Sequence, residues 1–207
     1  MLITNPTIQL LMKKTVKTLV LFTCISLFSV QLPAQLRLPV SNAFMSDMKK
    51  VIADHASHFD HIRGEVITES PQITEYQCTL LVNGAEESSI TKHSSKKSIY
   101  SWEAVMLTTE SFEKAKQKFR SLYNQLNNLG AAIGDKQQVH FKAEYETPKE
   151  EKKFTAIVFR AHPSSEASDQ VKLELSLQFH APMEWKVRVM VYDQQRADEE
   201  RGSREDD

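Results

Sequence analysis

Glycine is scarce in this chain, five among 207 residues, and the scarcity removes whole classes of chemistry. A phosphate-cradling loop or a dinucleotide fingerprint needs several glycines close together, because the backbone must approach the phosphate without a Cβ in the way. Neither pattern occurs, and Gly-x-Ser-x-Gly is also missing, so no serine sits on a nucleophile elbow. Cysteine is scarcer still: Cys24 and Cys78 are the only two. No charge sign dominates either, with 26 basic and 27 acidic side chains. A balance of that kind argues against nucleic acid as a partner.

Long apolar runs are missing too, except at the N-terminus. Lys13, Lys14 and Lys17 precede an uncharged run from Thr18 to Val30, and Leu32-Pro33-Ala34 ends it with a small residue. Basic, then apolar, then small is the order of a secretory signal peptide, so residues 1–34 are read as one, with Met12 as an alternative start. An uncleaved anchor is the other reading, but the stretch is diluted by Thr, Ser, Gln and Pro for a span that needs about 20 apolar residues. Lipidation does not fit, because Cys24 lies mid-run behind Phe22-Thr23. Cleavage after Ala34 removes three lysines and no acid, so the mature chain becomes more acidic. That argues against an anionic membrane surface as partner after cleavage. Cys78 would then stand alone, and one thiol cannot staple its own chain, so the packed core must hold the domain.

The remainder reads as one globular domain over 35–192 followed by a charged, disordered tail over 193–207. Its dominant element is Thr109 to Gly130. Phe112, Ala115, Phe119, Leu122, Tyr123, Leu126 and Leu129 recur at steps of three and four and form one apolar stripe. Lys114, Lys118, Arg120 and Asn124 occupy the opposite face, and Gly130 is the expected left-handed stop. A first helix is read from Ser41 to Phe59, with Phe44, Met48, Val51, Ile52 and Ala56 on one face and Gly64 at or just past its end.

Strands follow from period-two alternation. A short extended piece lies near Glu65 to Thr68. Ile73 to Val82 turns at Asn83-Gly84, the strongest hairpin signal in the chain, into a polar edge strand, Ala85 to His93. Ile99 to Thr108 has Tyr100, Trp102, Ala104 and Met106 on one face and Ile99, Val105 and Leu107 on the other. After the central helix, Ala131 to Gln138 is a loop. Strands then carry Val139 to Tyr145, Phe154 to Ala161, Val171 to Phe179 and Trp185 to Val191, with a Pro/Ser/Asp loop over His162 to Gln170. The fold expected is α+β and two-layered: an antiparallel sheet of about six to seven strands packed on one face by two helices, in the order α-βββ-α-ββββ. That coarse order is similar to bacterial secretion-chaperone-like and related small binding folds, in element order alone.

One local cluster carries chemistry. His55, His58 and His61 are three residues apart, which on a continuous helix places them within an arc of about 120°, as nitrogen ligands to a metal would be. The plainer reading is a solvated last helical turn. Ser46, Ser89 and Ser94 each begin a Ser-x-x-Lys, without the companion motifs that acylating enzymes need. Glu86-Glu87 and Glu150-Glu151 are neighbours on extended chain or turns and point apart. Tyr100, Trp102 and Trp185 alternate with polar residues and read as core, and Lys92, His93, Lys96 and Lys97 form a basic hairpin tip.

No catalytic residue, cofactor or metal ligand is assigned. The expectation is an exported protein, periplasmic or secreted, that binds an unknown protein or small ligand as a monomer or homodimer, without catalysis. A metal-binding protein using His55–His61 is the alternative.

Overall fold

The computed structural model describes residues 42–94, 98–133 and 137–193. The expected signal segment, most of the basic turn (95–97) and all of the charged tail except Asp193 lie outside these residues.

The central apolar stripe forms helix α2, Phe112–Leu126, following α1, Asn42–Asp54. Ser111 caps α2, its hydroxyl accepting from the Lys114 amide at 3.4 Å, which satisfies one of the free N–H groups of the first turn. Ala115, Phe119, Leu122 and Leu126 are buried. The helix does not run to Gly130. Asn127 ends it, Asn128 takes the left-handed conformation (φ 76°), and Gly130 begins a strand. Asparagine tolerates this conformation at less cost than most residues. The turn is then fastened to a strand edge: Asn128 N–H donates to the Phe141 carbonyl at 2.6 Å, and the Asn127 side chain accepts from Ala143 N–H at 3.1 Å.

The described residues form a single antiparallel sheet of nine strands: β1 Arg63–Glu69, β2 Ile73–Cys78, β3 Glu87–Ser94, β4 Ser98–Thr109, β5 Gly130–Ile133, β6 Gln137–Lys142, β7 Phe154–His162, β8 Val171–His180 and β9 Glu184–Asp193. Their order across the sheet is β1-β2-β3-β4-β9-β8-β7-β6-β5. The chain therefore leaves the centre at β4 and resumes at the far edge. Five strand spacings of about 4.8 Å separate β4 from β5, and a 15-residue helix is about 22 Å long. Helix α2 is thus the right length to cross that face, and it packs on β4, β8 and β9.

The α+β class and the antiparallel sheet agree with the sequence reading; the count of six to seven strands and two helices does not. Among the described residues the structure is mainly sheet, with nine strands and three helices. Strand β5 lies in the stretch read as a loop, and its four residues are too short to show alternation. Strand β1 is the edge, with none of its residues buried, so no apolar face marked it. The polar β3, read as an edge, is interior between β2 and β4. The third helix, α3, Glu166–Asp169, lies in the expected loop and is closed by a capping box between Ser165 and Ser168.

Asn83-Gly84 makes a turn, but not the two-residue hairpin expected. Ala85 N–H donates to the Val82 carbonyl at 2.9 Å and only Gly84 has positive φ, whereas a type I′ hairpin turn requires it at both central residues. Strand β4 has a register shift against β9 between Val105 and Leu107. The shift moves Leu107 to the helix side, where it packs on the main core instead of sharing the far face with Ile99 and Val105. Strand β7 is interior as expected, but Phe154 and Val158 remain exposed, so only one of its faces is covered.

Candidate functional site

The histidine segment closes α1 rather than extending it. After Asp54 the chain tightens into one 3-10 turn, His55–Ser57, and His58 and Phe59 both take left-handed conformations. Phe59 folds back with its amide on the Asp54 carbonyl at 3.0 Å and is fully buried. A helix continuing through His61 would gather the three imidazoles; this reversal scatters them. Ala56, assigned to the apolar face, is exposed for the same reason.

Each imidazole has its own neighbour. His55 is buried, with Nε2 3.0 Å from Asp193 Oδ1 at the end of β9. His58 stacks on Tyr100, ring centroids 5.0 Å apart. His61 is exposed and pairs through Nδ1 with Asp54. Arg63 pairs with Asp60, donates to the His58 carbonyl and lies over the rings of Tyr76 and Tyr100 at 5.1 and 5.3 Å. Burial alone would raise the Asp193 carboxyl, but His55, the Tyr100 backbone and His58 together hold it below its ordinary value. Among the described residues no group of three or more His, Cys, Asp or Glu is placed to hold a metal ion. The arrangement pins the end of α1 to the sheet, with its histidines and Arg63 placed against carboxylates and ring faces.

Other sequence candidates are similarly dispersed. Ser89 and Lys92 belong to β3, where residues three apart face opposite ways. Glu86 caps the Thr108 amide at 3.0 Å. Trp102 and Trp185 are buried in the core, Trp102 with no hydrogen-bond partner on Nε1 among the described residues. Cys78 is half-buried beside the core, its thiol donating to the Leu80 carbonyl at 3.2 Å.

What the sequence reading missed lies on the sheet face turned away from α1 and α2. A cavity of about 480 Å³ is lined by Arg160, Ala161, His162, Ser164, Asp169 and Lys172. A second, of about 270 Å³, has Glu75, Glu87 and Glu103 in its wall. Arg188 on β9 contacts Glu103 at 3.3 Å, Gln178 at 3.3 Å and His180 Nε2 at 3.0 Å. That ring nitrogen can only accept from a guanidinium. Burial, then Arg188 and Lys186, push the His180 pKa down. Strand alternation signals that Arg160 and Lys172 face outward; which strands lie beside them requires the register.

These features define the chain as an α+β protein on one antiparallel sheet with charged cavities on the face opposite α1 and α2. Comparison with protein-family models, curated proteins and solved structures finds no match to it. No helix of the described residues is long and apolar enough to cross a membrane.

Proposed function

We propose that this is an exported, non-enzymatic binding protein of the bacterial cell envelope that receives a small ligand on the sheet face opposite α1 and α2. One observation carries the binding part. Arg160 and Lys172 line the larger cavity, and no side-chain hydrogen bond or ion pair engages either among the described residues. Charges left without partners in a concave site are what a ligand would complete. The export part rests on the order of Lys13, Lys14 and Lys17, the uncharged run and Ala34.

The test has two arms. Mass spectrometry of the protein isolated from an envelope fraction should give an N-terminus near Gln35, and an intact Met1 or Met12 start would refute cleavage. Amide chemical-shift mapping with anionic, cationic, zwitterionic and apolar small molecules should show one class moving resonances on β6–β9 without being consumed. Turnover of the ligand, or no response to any class, would overturn the binding reading.

A further inference from the structure

The larger cavity stands at the end of a row of like charges. The β6–β7 register sets Lys142 directly opposite Arg160, and one pair along, His140 opposite His162. Carrying the β7–β8 register one step beyond Phe159–Leu173 sets Lys172 opposite Arg160 from the other side. Lys142, Arg160, His140 and His162 are exposed, and Lys172 is half-buried. Three cations side by side across three strands repel one another, so the folded chain alone gains nothing from this arrangement.

The nearby acids are occupied elsewhere. Asp169, the one carboxylate in the cavity wall, accepts from the Ser164 hydroxyl at 2.8 and 2.7 Å. Glu174, diagonal to Arg160, accepts from the Tyr192 hydroxyl at 2.8 Å. Neither forms an ion pair with Lys142, Arg160 or Lys172 among the described residues. Arg188, two strands from Arg160 on the same face, shows the opposite solution, with a carboxylate, an amide and an imidazole around one guanidinium.

From this row we infer that the cavity at β6–β8 binds a small molecule through a phosphate or sulfate group seated between Arg160 and Lys172, an assignment that rests on the binding reading above. A guanidinium presents a planar fork that matches two oxygens of such a group, and the lysine adds a point charge. His162 supplies an imidazole N–H donor at the rim. A dianion neutralises two of the three cations. The volume, about 480 Å³, is in the range of small-molecule sites and leaves room for the molecule that carries the group.

Isothermal titration and amide shift mapping of the isolated protein, with ionic strength held by sodium chloride, test this. Inorganic phosphate, inorganic sulfate, glucose 6-phosphate and glucose are the probes. Saturable binding of the anions and none of glucose is expected, with shifts centred on Arg160, His162 and Lys172. Arg160→Gln and Lys172→Gln should each weaken binding about tenfold or more, while Lys114→Gln on the exposed side of α2 leaves it unchanged. Tighter binding of glucose 6-phosphate than of phosphate assigns the group to a larger molecule; equal binding assigns the free oxyanion. Circular dichroism of both variants confirms folding. Anion binding unaffected by Arg160→Gln, or no anion binding at all, overturns the assignment. If a cationic or apolar ligand then binds the sheet face, the binding reading survives alone; if nothing binds, both fall.

Discussion

Val187, Val189 and Val191 project from β9 toward the helices, while Lys186, Arg188 and Met190 between them project the other way. The same ten residues thus serve two surfaces held by different physics. On the helix side, Phe119, Leu122, Trp102, Leu173 and Val189 belong to one continuous buried cluster. Its stability comes from area removed from water and from close packing, so it depends on volume and hardly on pH. On the other side, charges decide. Arg188 is matched by Glu103, whereas among the described residues no ion pair matches Lys142, Arg160 or Lys172. One face is closed and finished by the chain itself; the other is left with a charge imbalance that a ligand can cancel.

The comparison breaks most readily at Phe119, fully buried at the centre of the stripe. Phe119→Ala should cost about 3–5 kcal/mol in urea melts, a large share of the roughly 5–15 kcal/mol that a domain has. A loss below about 1 kcal/mol would mean that α2 is not packed on the sheet.

A smaller effect belongs to the corner where a charge pair meets the core. Asp193→Asn should cost about 1 kcal/mol near neutral pH, by removing the partner of buried His55. The Asp193 carboxyl titrates below its ordinary 3.8 in the folded protein, so its contribution is present above about pH 4. It is lost as the pH falls further, through the folded value. Melts across pH 2–7 should show the wild-type advantage over Asp193→Asn disappearing in that acid window. An advantage that persists in acid would show that the carboxylate contributes nothing there.

Smaller again is Lys118, which the stripe assigned to the polar side of α2. Its ammonium is half-buried near the Gly84 carbonyl at 3.5 Å, and burial lowers its pKa, with Glu86 opposing. Lys118→Ala should cost about 0.5–1 kcal/mol through lost packing of the stem and lost contact with the turn. Lys114→Ala, fully on the exposed side, should stay within about 0.5 kcal/mol. Equal losses would remove the distinction.

The smallest effect has the opposite sign. Arg160→Gln should leave stability unchanged or raise it by up to about 0.5 kcal/mol, because it relieves the row of like charges. The gain should vanish at about 1 M salt, where the screening length is about 3 Å. Destabilisation at low salt would show an internal partner for Arg160 and contradict the open site.

Much of the closed face was legible in the residue order. The stripe from Phe112 to Leu126 and the alternations of β8 and β9 repeat long enough for their periods to be read. Where a period was short or broken, the reading failed. Gly130-Ala131-Ala132-Ile133 has no polar alternation to mark it as β5, and the apolar face of α1 gave no warning that His58 and Phe59 would turn left-handed. Polar composition suggested an edge for β3, yet being an edge depends on which strand arrives beside it. The candidate site failed for a related reason: Lys142, Arg160 and Lys172 are spread over 31 positions of chain, and no sequence spacing links them.

Residue order sets the inward face of the long regular elements, α2, β8 and β9, because burial there follows the 3.6- and 2-residue periods of helix and strand. Residue order also sets the class, a helix–sheet protein, since the apolar residues suffice for a core. Only the tertiary structure decided that β9 returns to lie against β4, that α2 spans the gap this creates, and that three cations from β6, β7 and β8 stand in one row. Register across strands is set by long-range pairing, and no local period carries it.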